Sequence, residues 1–521
     1  TSPNLKIMLY IMFSKLDFIL IIGSVAFGGS KKMKDGIIGF RDNFVSSGIQ
    51  LKLPKLPNTC LELELEESEL TQDCSIEPLE ELKYPLADSA CFKGDIISAK
   101  ILTSQSNLKK KMEIAVKLEV IFECEVAQLF CRIEMFQESI KYLPGDTFGF
   151  CVGNFEKEIE LFFQLTNIAN YRKVHYRLTV SKGKVGKLPL HYPSEGNLYN
   201  LVKYCCDLRF IPKKQHLHFL SRFCSNEKHK AALEELSSQG GSKKYNELVF
   251  IPHITILDIL LVFNSCHVPL VFLLEILPRL NPRPFSVTSS PLISPNILTF
   301  VISVVEISFN SCYFEDTRGL CTGWLDQQVA LLPDNQKDGD ICKQIQSLSL
   351  NSQSFQVKLY KRISNGFVLP KLGDHPVIMI AAGTGIAPFI GFLRHWSILG
   401  GRTTFPTYLF FGCQHPDHDF LFKSELAQYI EDEVLTEYYT SFSQGEQRLH
   451  VQDKVIEHST LITNTMKNNG LIFVCGSSNM VRDVKTTINH ISETAMGLSE
   501  GNTTNHVSGW IKDKRYFEDV W

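Results

Sequence analysis

No two of the fifteen cysteines are spaced as a Cys-x-x-Cys pair, which excludes a zinc ribbon and a thioredoxin-type redox motif. Most stand inside apolar runs such as Leu129 to Cys131, so they read as reduced, buried thiols of a cytoplasmic protein rather than as a disulfide framework. Positive charge is not in excess either. The formal net charge is -3, and the short basic cluster Lys109 to Lys111 offers no broad cationic face for a phosphate backbone, so no nucleic acid partner is expected. Long uncharged apolar runs are missing too. The nearest approach, Leu5 to Phe27, carries Lys6, Lys15 and Asp17, and charges near the middle of a spanning helix are costly. A membrane anchor is therefore not expected, although the alternative stays open. Residues 1–50 read as an atypical apolar start, either the remnant of a truncated domain or an artefact of a mis-started chain.

What is present suits a multi-domain globular chain: 521 residues, 44% hydrophobic and 21% charged, enough for about three units. Between Asn58 and Leu82 lie Glu62, Glu64, Glu66, Glu67, Glu69, Asp73, Glu77, Glu80 and Glu81. Like charges in a block repel and stay solvated, so 51–88 is read as an acidic linker. Beyond Gly94, the alternation of Met112, Ile114, Val116, Leu118 and Val120 with polar or small residues predicts a half-buried strand. Pro144-Gly145-Asp146 predicts a turn, and the apolar run Ile297 to Val305 a second group of strands. Helical stretches around Leu217 to Phe223, Lys228 to Leu236 and Ile254 to Phe263 separate the two groups. The economical reading is a β-barrel built from 89–154 and 281–369 with a helical insertion at 155–280. After Pro370, apolar strands at Val377 to Ala381, Tyr408 to Phe411 and Leu471 to Cys475 alternate with helical stretches, predicting a doubly wound parallel sheet over 370–521.

Two local patterns carry chemistry. Val377 to Ala382 runs as a strand into Gly383-Thr384-Gly385-Ile386-Ala387-Pro388-Phe389, a Gly-rich turn opening a helix. Exposed amides and the helix dipole at such a turn can hold a pyrophosphate. A tight turn without a ligand would look similar, and Pro388 stands where a third glycine would be. The second pattern is Arg283-Pro284-Phe285-Ser286, followed by Gly319-Leu320-Cys321-Thr322-Gly323-Trp324. An arginine can neutralise a pyrophosphate, a ring can cover a flat cofactor, and small residues leave room for phosphate on backbone amides.

The order of these pieces, with Phe411-Gly412-Cys413, Val474-Cys475-Gly476 and Asp519-Val520-Trp521, resembles the diflavin reductase family, which includes cytochrome P450 reductase. Phe210 to Lys214, Leu277 to Pro284, Cys321 to Leu325 and Pro388 to Leu393 look most like its methionine synthase reductase branch. The resemblance implies a ferredoxin-NADP reductase-like antiparallel β-barrel with a helical insertion (α+β), then a doubly wound nucleotide-binding domain (α/β). It implies FAD held by Arg283, Pro284, Phe285, Ser286, Gly319, Leu320, Cys321, Thr322 and Trp521. NADPH would meet Lys109, Gly383, Thr384, Gly385, Ser443, Gln444, Arg448, His450, Val451, Gln452 and Asp483. Ser286, Cys475 and Asp519 would be catalytic, although Trp521 could equally be a packing plug. The implied partner is cobalamin-bound methionine synthase, reached through an FMN domain for which residues 1–50 are too short, so that FMN would have to act in cis or in trans from elsewhere.

Several positions depart from the family pattern. Gln444 stands where an arginine usually follows the serine, which weakens the expected preference for NADPH over NADH. Phe285 replaces a tyrosine, Ser477 an acidic residue, and Trp521 ends the chain where relatives often have one residue more. The rival readings are a single-flavin ferredoxin-NADP-type reductase, which lacks the helical insertion, and a non-catalytic scaffold that only binds methionine synthase.

Overall fold

The computed structural model describes residues 31–45, 51–67, 84, 86–104, 109–118, 122–123, 136–137, 140–306, 318–333, 355–370, 375–400, 406–495 and 506–520. Leu5 to Phe27, the acidic residues from Glu69 to Glu81, and Trp521 lie outside the described residues. Among those described, no helix is long and apolar enough to cross a membrane.

Along the chain, β1 (Leu61–Glu67) is followed by β2 (Phe92–Ile101), β3 (Lys111–Leu118), the two-residue β4 (Phe122–Glu123) and β5 (Phe136–Gln137), and β6 (Thr147–Cys151). The insertion adds β7 (Val174–Val180) and β8 (Glu195–Asn197). Then come β9 (Arg283–Ser286), β10 (Ile297–Ser303) and β11 (Phe355–Lys361). The last region carries β12 (Val377–Ala382), β13 (Thr407–Cys413), β14 (Glu437–Phe442), β15 (Leu471–Gly476) and β16 (Tyr516–Val520).

Six strands form an antiparallel sheet in the order β10-β3-β2-β11-β6-β9. A bridge between Val287 and Phe300, with Thr288 N donating to Thr299 O at 2.8 Å, returns β9 to β10 and closes it into a barrel. Ile96, Ile114, Phe148, Phe150 and Phe300 fill the interior, with Phe300 meeting Phe148 and Phe150 edge-on at 6.0 and 4.9 Å.

β3 differs from the half-buried strand expected of it. Lys111 to Val116 are all buried, and Lys117 is the exposed member. The polar face lies under the domain of β12 to β16 rather than water: Lys111 Nζ pairs with Asp419 at 2.9 Å and Glu113 with Arg394 at 2.6 Å. Arg394, on the helix Ala387–Ile398, also holds Glu425 at 2.8 Å. Burial alone would lower the arginine's pKa, but Glu113 and Glu425 outweigh it and raise it.

The expected linker also needs correction. Residues 61–67 form β1, paired along its whole length with β7. The segment Leu61-Glu62-Leu63-Glu64-Leu65 has the period of two of a half-buried strand. Leu61 and Leu63 pack into the insertion core while Glu62 and Glu64 face solvent, so charge density alone was the wrong guide. Before it, Lys52 O accepts from Gln239 N, and Pro54 O is bonded to His218 Nδ1 at 2.8 Å.

The insertion is helical, with Glu156–Leu165, Leu198–Cys205, Lys214–Ser221, Glu227–Ser237, Ile256–Val262 and Leu270–Ile276 around one apolar core. Side chains cap some of these helices: Asn226 accepts from Lys228 N and His229 N, and Thr255 and Asp258 cap each other's backbone.

The final sheet is fully parallel, in the order β14-β13-β12-β15-β16. Apolar layers cover both faces, Met379, Phe389, Phe392, Trp396 and Phe473 on one and Ile380, Val455, Val474, Val484 and Ile488 on the other. This is why its strands read as continuous apolar runs.

Arg394→Met should cost about 2 to 4 kcal/mol, because it strands the buried carboxylate of Glu113 and the half-buried one of Glu425. Glu113→Gln and Glu425→Gln added to it should recover much of that loss. Denaturant unfolding of the three proteins checks this, and a single-mutant loss below about 1 kcal/mol would mean that the network contributes little to the domain junction.

Candidate active site

Strand order reverses between β12 and β15, and such a reversal opens a crevice beyond the carboxyl ends of the strands. Around this crevice three elements meet. β9 ends at Ser286, paired with Thr147 of β6. β15 and β16 run in register so that Cys475 and Asp519 are neighbours. The turn Gly383–Ile386 leaves β12 and starts the helix Ala387–Ile398. Gly385 lies against the end of β15: a Cβ there would stand 2.2 Å from Cys475 O. Gly383 has φ +56°, a conformation that glycine adopts without a Cβ penalty.

Ser286 Oγ donates to Asp519 Oδ2 at 2.7 Å, and Cys475 Sγ reaches the same oxygen at 3.9 Å. Thr147 Oγ1 stands 3.4 Å from Ser286 Oγ. Burial pushes the Asp519 carboxyl above its usual range, while Ser286, the charge of Arg362 and Cys475 pull it back. The net shift is upward: a half-buried acid whose charged form is only partly compensated by two donors and one cation.

These groups line a cleft of about 590 Å³. Its walls include Arg283, Pro284, Phe285 and Ser286, Gly319, Leu320, Cys321 and Thr322, and Thr384, Cys475 and Asp519. Phe285 is braced edge-on by Phe150 at 5.2 Å. The helix Leu320–Leu331 begins at Gly319 with no side-chain cap, so its first amides are left for another acceptor. A Cβ at Gly319 would come within 3.0 Å of Thr322 Oγ1 and 3.2 Å of Val305, which keeps the position small. Thr322 Oγ1 already accepts from Val305 N at 3.1 Å. Burial pushes the Cys321 thiol up to about 12 against the opposing charge of Arg283, so it stays protonated. Thr147, Asp207, Arg209, His253 and Arg362 also line the cleft and were not singled out from sequence. Thr147 directly follows the Pro144-Gly145-Asp146 turn, the one signal that could have found it.

The remaining nucleotide positions lie elsewhere. Ser443 and Gln444 follow β14, with Ser443 N donating to Cys413 O at 3.0 Å and Gln444 N to Gln414 O at 2.9 Å. Gln444, Arg448 and His450 are exposed. His450 precedes the helix Val451–Glu457, its backbone N donating to Asp453 at 2.7 Å. Gln452 is half-buried, but Val451 is a core residue at 3% exposure, so its side chain faces away from any ligand in solvent. Asp483 lies on the helix Ser478–Ala495 beside Arg482, and Lys109 is exposed before β3. None of these lines the cleft.

Residues 111–324 match the family described as FAD binding domain, and residues 379–486 the family described as oxidoreductase NAD-binding domain. The chain is 32% identical to methionine synthase reductase of Mus musculus over 487 residues, covering 90% of this chain and 66% of that protein. It is 32% identical to methionine synthase reductase of Homo sapiens over 493 residues, covering 91% and 66%. With NADPH oxidoreductase A of Dictyostelium discoideum the identity is 28%, covering 80% and 62%. The chain thus spans just under two thirds of the length of these relatives.

Gly385→Ala should destabilise the protein by about 1 to 3 kcal/mol, since β15 or the turn must shift to admit the methyl group. Gly383→Ala meets no neighbouring atom and carries only the left-handed backbone penalty, roughly 1 to 2 kcal/mol. Denaturant unfolding of both variants checks the ordering, and a larger loss at Gly383 would contradict the close contact with Cys475.

Proposed function

The chain belongs to the FAD- and NAD-binding flavoprotein oxidoreductase family of the methionine synthase reductases, and we propose that it is an NADPH-dependent FAD reductase module serving the reductive reactivation of cob(II)alamin in methionine synthase. The observation that carries this reading is the meeting of Ser286, Cys475 and Asp519 in one cleft beside an uncapped helix start. The cleft fits a flavin dinucleotide in chemistry. Arg283 and the amides after Gly319 would hold the pyrophosphate, and Phe285 would lie against the ring system. Bound there, FAD supplies the chemistry that takes a hydride from a reduced nicotinamide and passes electrons on singly.

The chain's own residues then position and polarise. Gly385 brings the turn backbone against Cys475, so a nicotinamide nucleotide seated on that turn would approach the Ser286 end of β9. Asp519, its charged form favoured by Ser286 and Arg362 against the opposing effect of burial, would stabilise the positive charge that grows on a nicotinamide as it is oxidised. Cys475, buried at 1% exposure, would form part of the wall against which the ring lies and exclude water from it. Ser443, Gln444, Arg448, His450 and Gln452 would meet the adenosine phosphate, Val451 contributing through its backbone alone. Electrons would leave through an FMN domain, in cis or in trans, toward cobalamin-bound methionine synthase in the cytoplasm. The helical insertion favours this reading over a single-flavin ferredoxin-NADP-type reductase.

Purified protein should carry FAD and reduce ferricyanide with NADPH; folded protein that takes up no added FAD would end the proposal. Cys475→Ala and Asp519→Ala should keep FAD while slowing its reduction by roughly 10² to 10³-fold. Stopped-flow rates equal to the parent's would remove both residues from the mechanism.

Gln444→Arg should sharpen selection of NADPH over NADH by about one to two decades, the worth of one charge-assisted hydrogen bond to phosphate. Steady-state kcat/KM for the two coenzymes measures it. An unchanged ratio would assign phosphate recognition to Arg448 and His450 instead.

A further inference from the structure

The insertion holds a pair of thiols that the proposed electron path does not use. Cys224 follows the helix Lys214–Ser221 and Cys266 follows the helix Ile256–Val262, and the two face each other across an isolated antiparallel bridge. The hydrogen bonds of that bridge flank the pair, from His267 N to Phe223 O at 3.1 Å and from Ser225 N to Ser265 O at 3.0 Å. Cys224 and Cys266 therefore occupy a non-hydrogen-bonded position, where α-carbons stand about 4.5 Å apart. That separation falls inside the window of roughly 4.4 to 6.8 Å that a disulfide spans. Both thiols also point to one place: each donates to Leu220 O, Cys224 at 3.8 Å and Cys266 at 3.2 Å.

The two sulfurs differ in a way that suits sequential reaction. Cys224 is half-buried and Cys266 is buried. The neighbouring Cys266 side chain holds Cys224 below the usual thiol range, with Ser265 and Lys230 assisting against burial and Glu234. The same contact, with burial, raises Cys266. One sulfur is thus an accessible nucleophile and the other a shielded partner held beside it.

We propose that Cys224 and Cys266 form a redox-active dithiol, a modification site that closes to a disulfide on reaction with small-molecule disulfides of the glutathione class. The Cys224 thiolate attacks one sulfur of glutathione disulfide, forming a mixed disulfide and expelling one glutathione thiolate, which takes up a proton. Cys266 loses its proton and attacks the Cys224 sulfur, expelling the second glutathione. Two protein thiols are oxidised to one disulfide, one glutathione disulfide is reduced to two thiols, and the two protons end on the released thiols. The bond would tie the ends of two insertion helices, one of which begins just after His253 of the cleft wall.

The test uses the full chain, reduced, equilibrated in glutathione buffers of rising oxidised fraction, acid-quenched and mapped by peptide mass spectrometry. The half-buried Cys60 serves as an internal control for ordinary thiol exchange. The expected product is a cross-linked Cys224–Cys266 peptide, lighter by two hydrogens, half-formed at a glutathione disulfide level on the order of tenfold below that which modifies Cys60, because the second step is intramolecular. Cys266→Ser should convert it to a stable glutathione adduct on Cys224. Cys224→Ser, at the half-exposed position, should leave Cys266 reduced, and this variant with the parent decides the matter if Cys266→Ser does not fold. A stable glutathione adduct on Cys224 in the parent, or both thiols still alkylatable once Cys60 is modified, would overturn the proposal.

Discussion

The guanidinium of Arg394 joins two domains that also meet through apolar contacts, the Lys111–Asp419 ion pair and hydrogen bonds such as Ser290 Oγ with His395 Nδ1 and Ser286 with Asp519. It lies in the junction between the barrel and the parallel sheet, bonded at once to Glu113 of β3, to Glu425 of the helix Lys423–Glu431, and to Thr288 O beside the barrel seam. A buried ion pair adds little net stability compared with a well-packed apolar contact, yet it tolerates few geometries. That intolerance matters here. A sliding apolar junction would leave the two domains free to shift, whereas a cation satisfied only when both carboxylates are in reach fixes one arrangement. Lys111 and Asp419 repeat the device two residues away on the same β3 face, with Asp419 also accepting from the backbone of Gln414 and His415.

The cleft depends on that arrangement because its chemistry is divided between the domains. Ser286 belongs to the barrel, and Cys475 and Asp519 to the parallel sheet, so the Ser286–Asp519 hydrogen bond exists only when the domains are docked. A displacement of about 1 Å at a reacting centre can cost a hundredfold in rate, which is the scale on which docking has to be fixed. Docking also explains why the Asp519 carboxyl is raised above its usual range, and why the rise is limited. A carboxylate at the edge of an isolated sheet would be solvated, but here the barrel covers it and replaces water by the Ser286 hydroxyl and the charge of Arg362.

Much of this was legible in the sequence because it rests on local rules. The strand at Val377 to Ala382 and its Gly-rich turn, the helical character of the insertion, and the apolar runs of the parallel sheet follow from periodicity and backbone freedom. What escaped is what depends on partners far along the chain. β3 has the alternation of a half-solvated strand, and nothing in Lys111-Met112-Glu113 announces that its charged face meets an arginine 281 residues later. The segment Leu61 to Glu67 carried two signals, a charge block and a period of two, and the weaker of the two as a density was the stronger as a structure. Thr147, Asp207, Arg209 and Arg362 enter the cleft from loops and strand ends whose meeting is set by barrel closure.

The nucleotide-edge positions show a different division between what the fold fixes and what it leaves free. Ser443 and Gln444 are placed by their main chains, whose amides donate to Cys413 O and Gln414 O at the end of the neighbouring strand. Those bonds do not involve the side chains, and Gln444 projects into solvent. Val451, by contrast, is locked into the core against Gly412, so the helix start that carries His450 and Gln452 is held in position. The fold therefore supplies a rigid platform at the edge of the sheet and leaves the residue at 444 unconstrained by packing. Packing there discriminates little between an arginine and a glutamine, so under the proposed function coenzyme preference would be free to drift while the cleft, bound together by Gly385, Cys475, Asp519 and Ser286, would not.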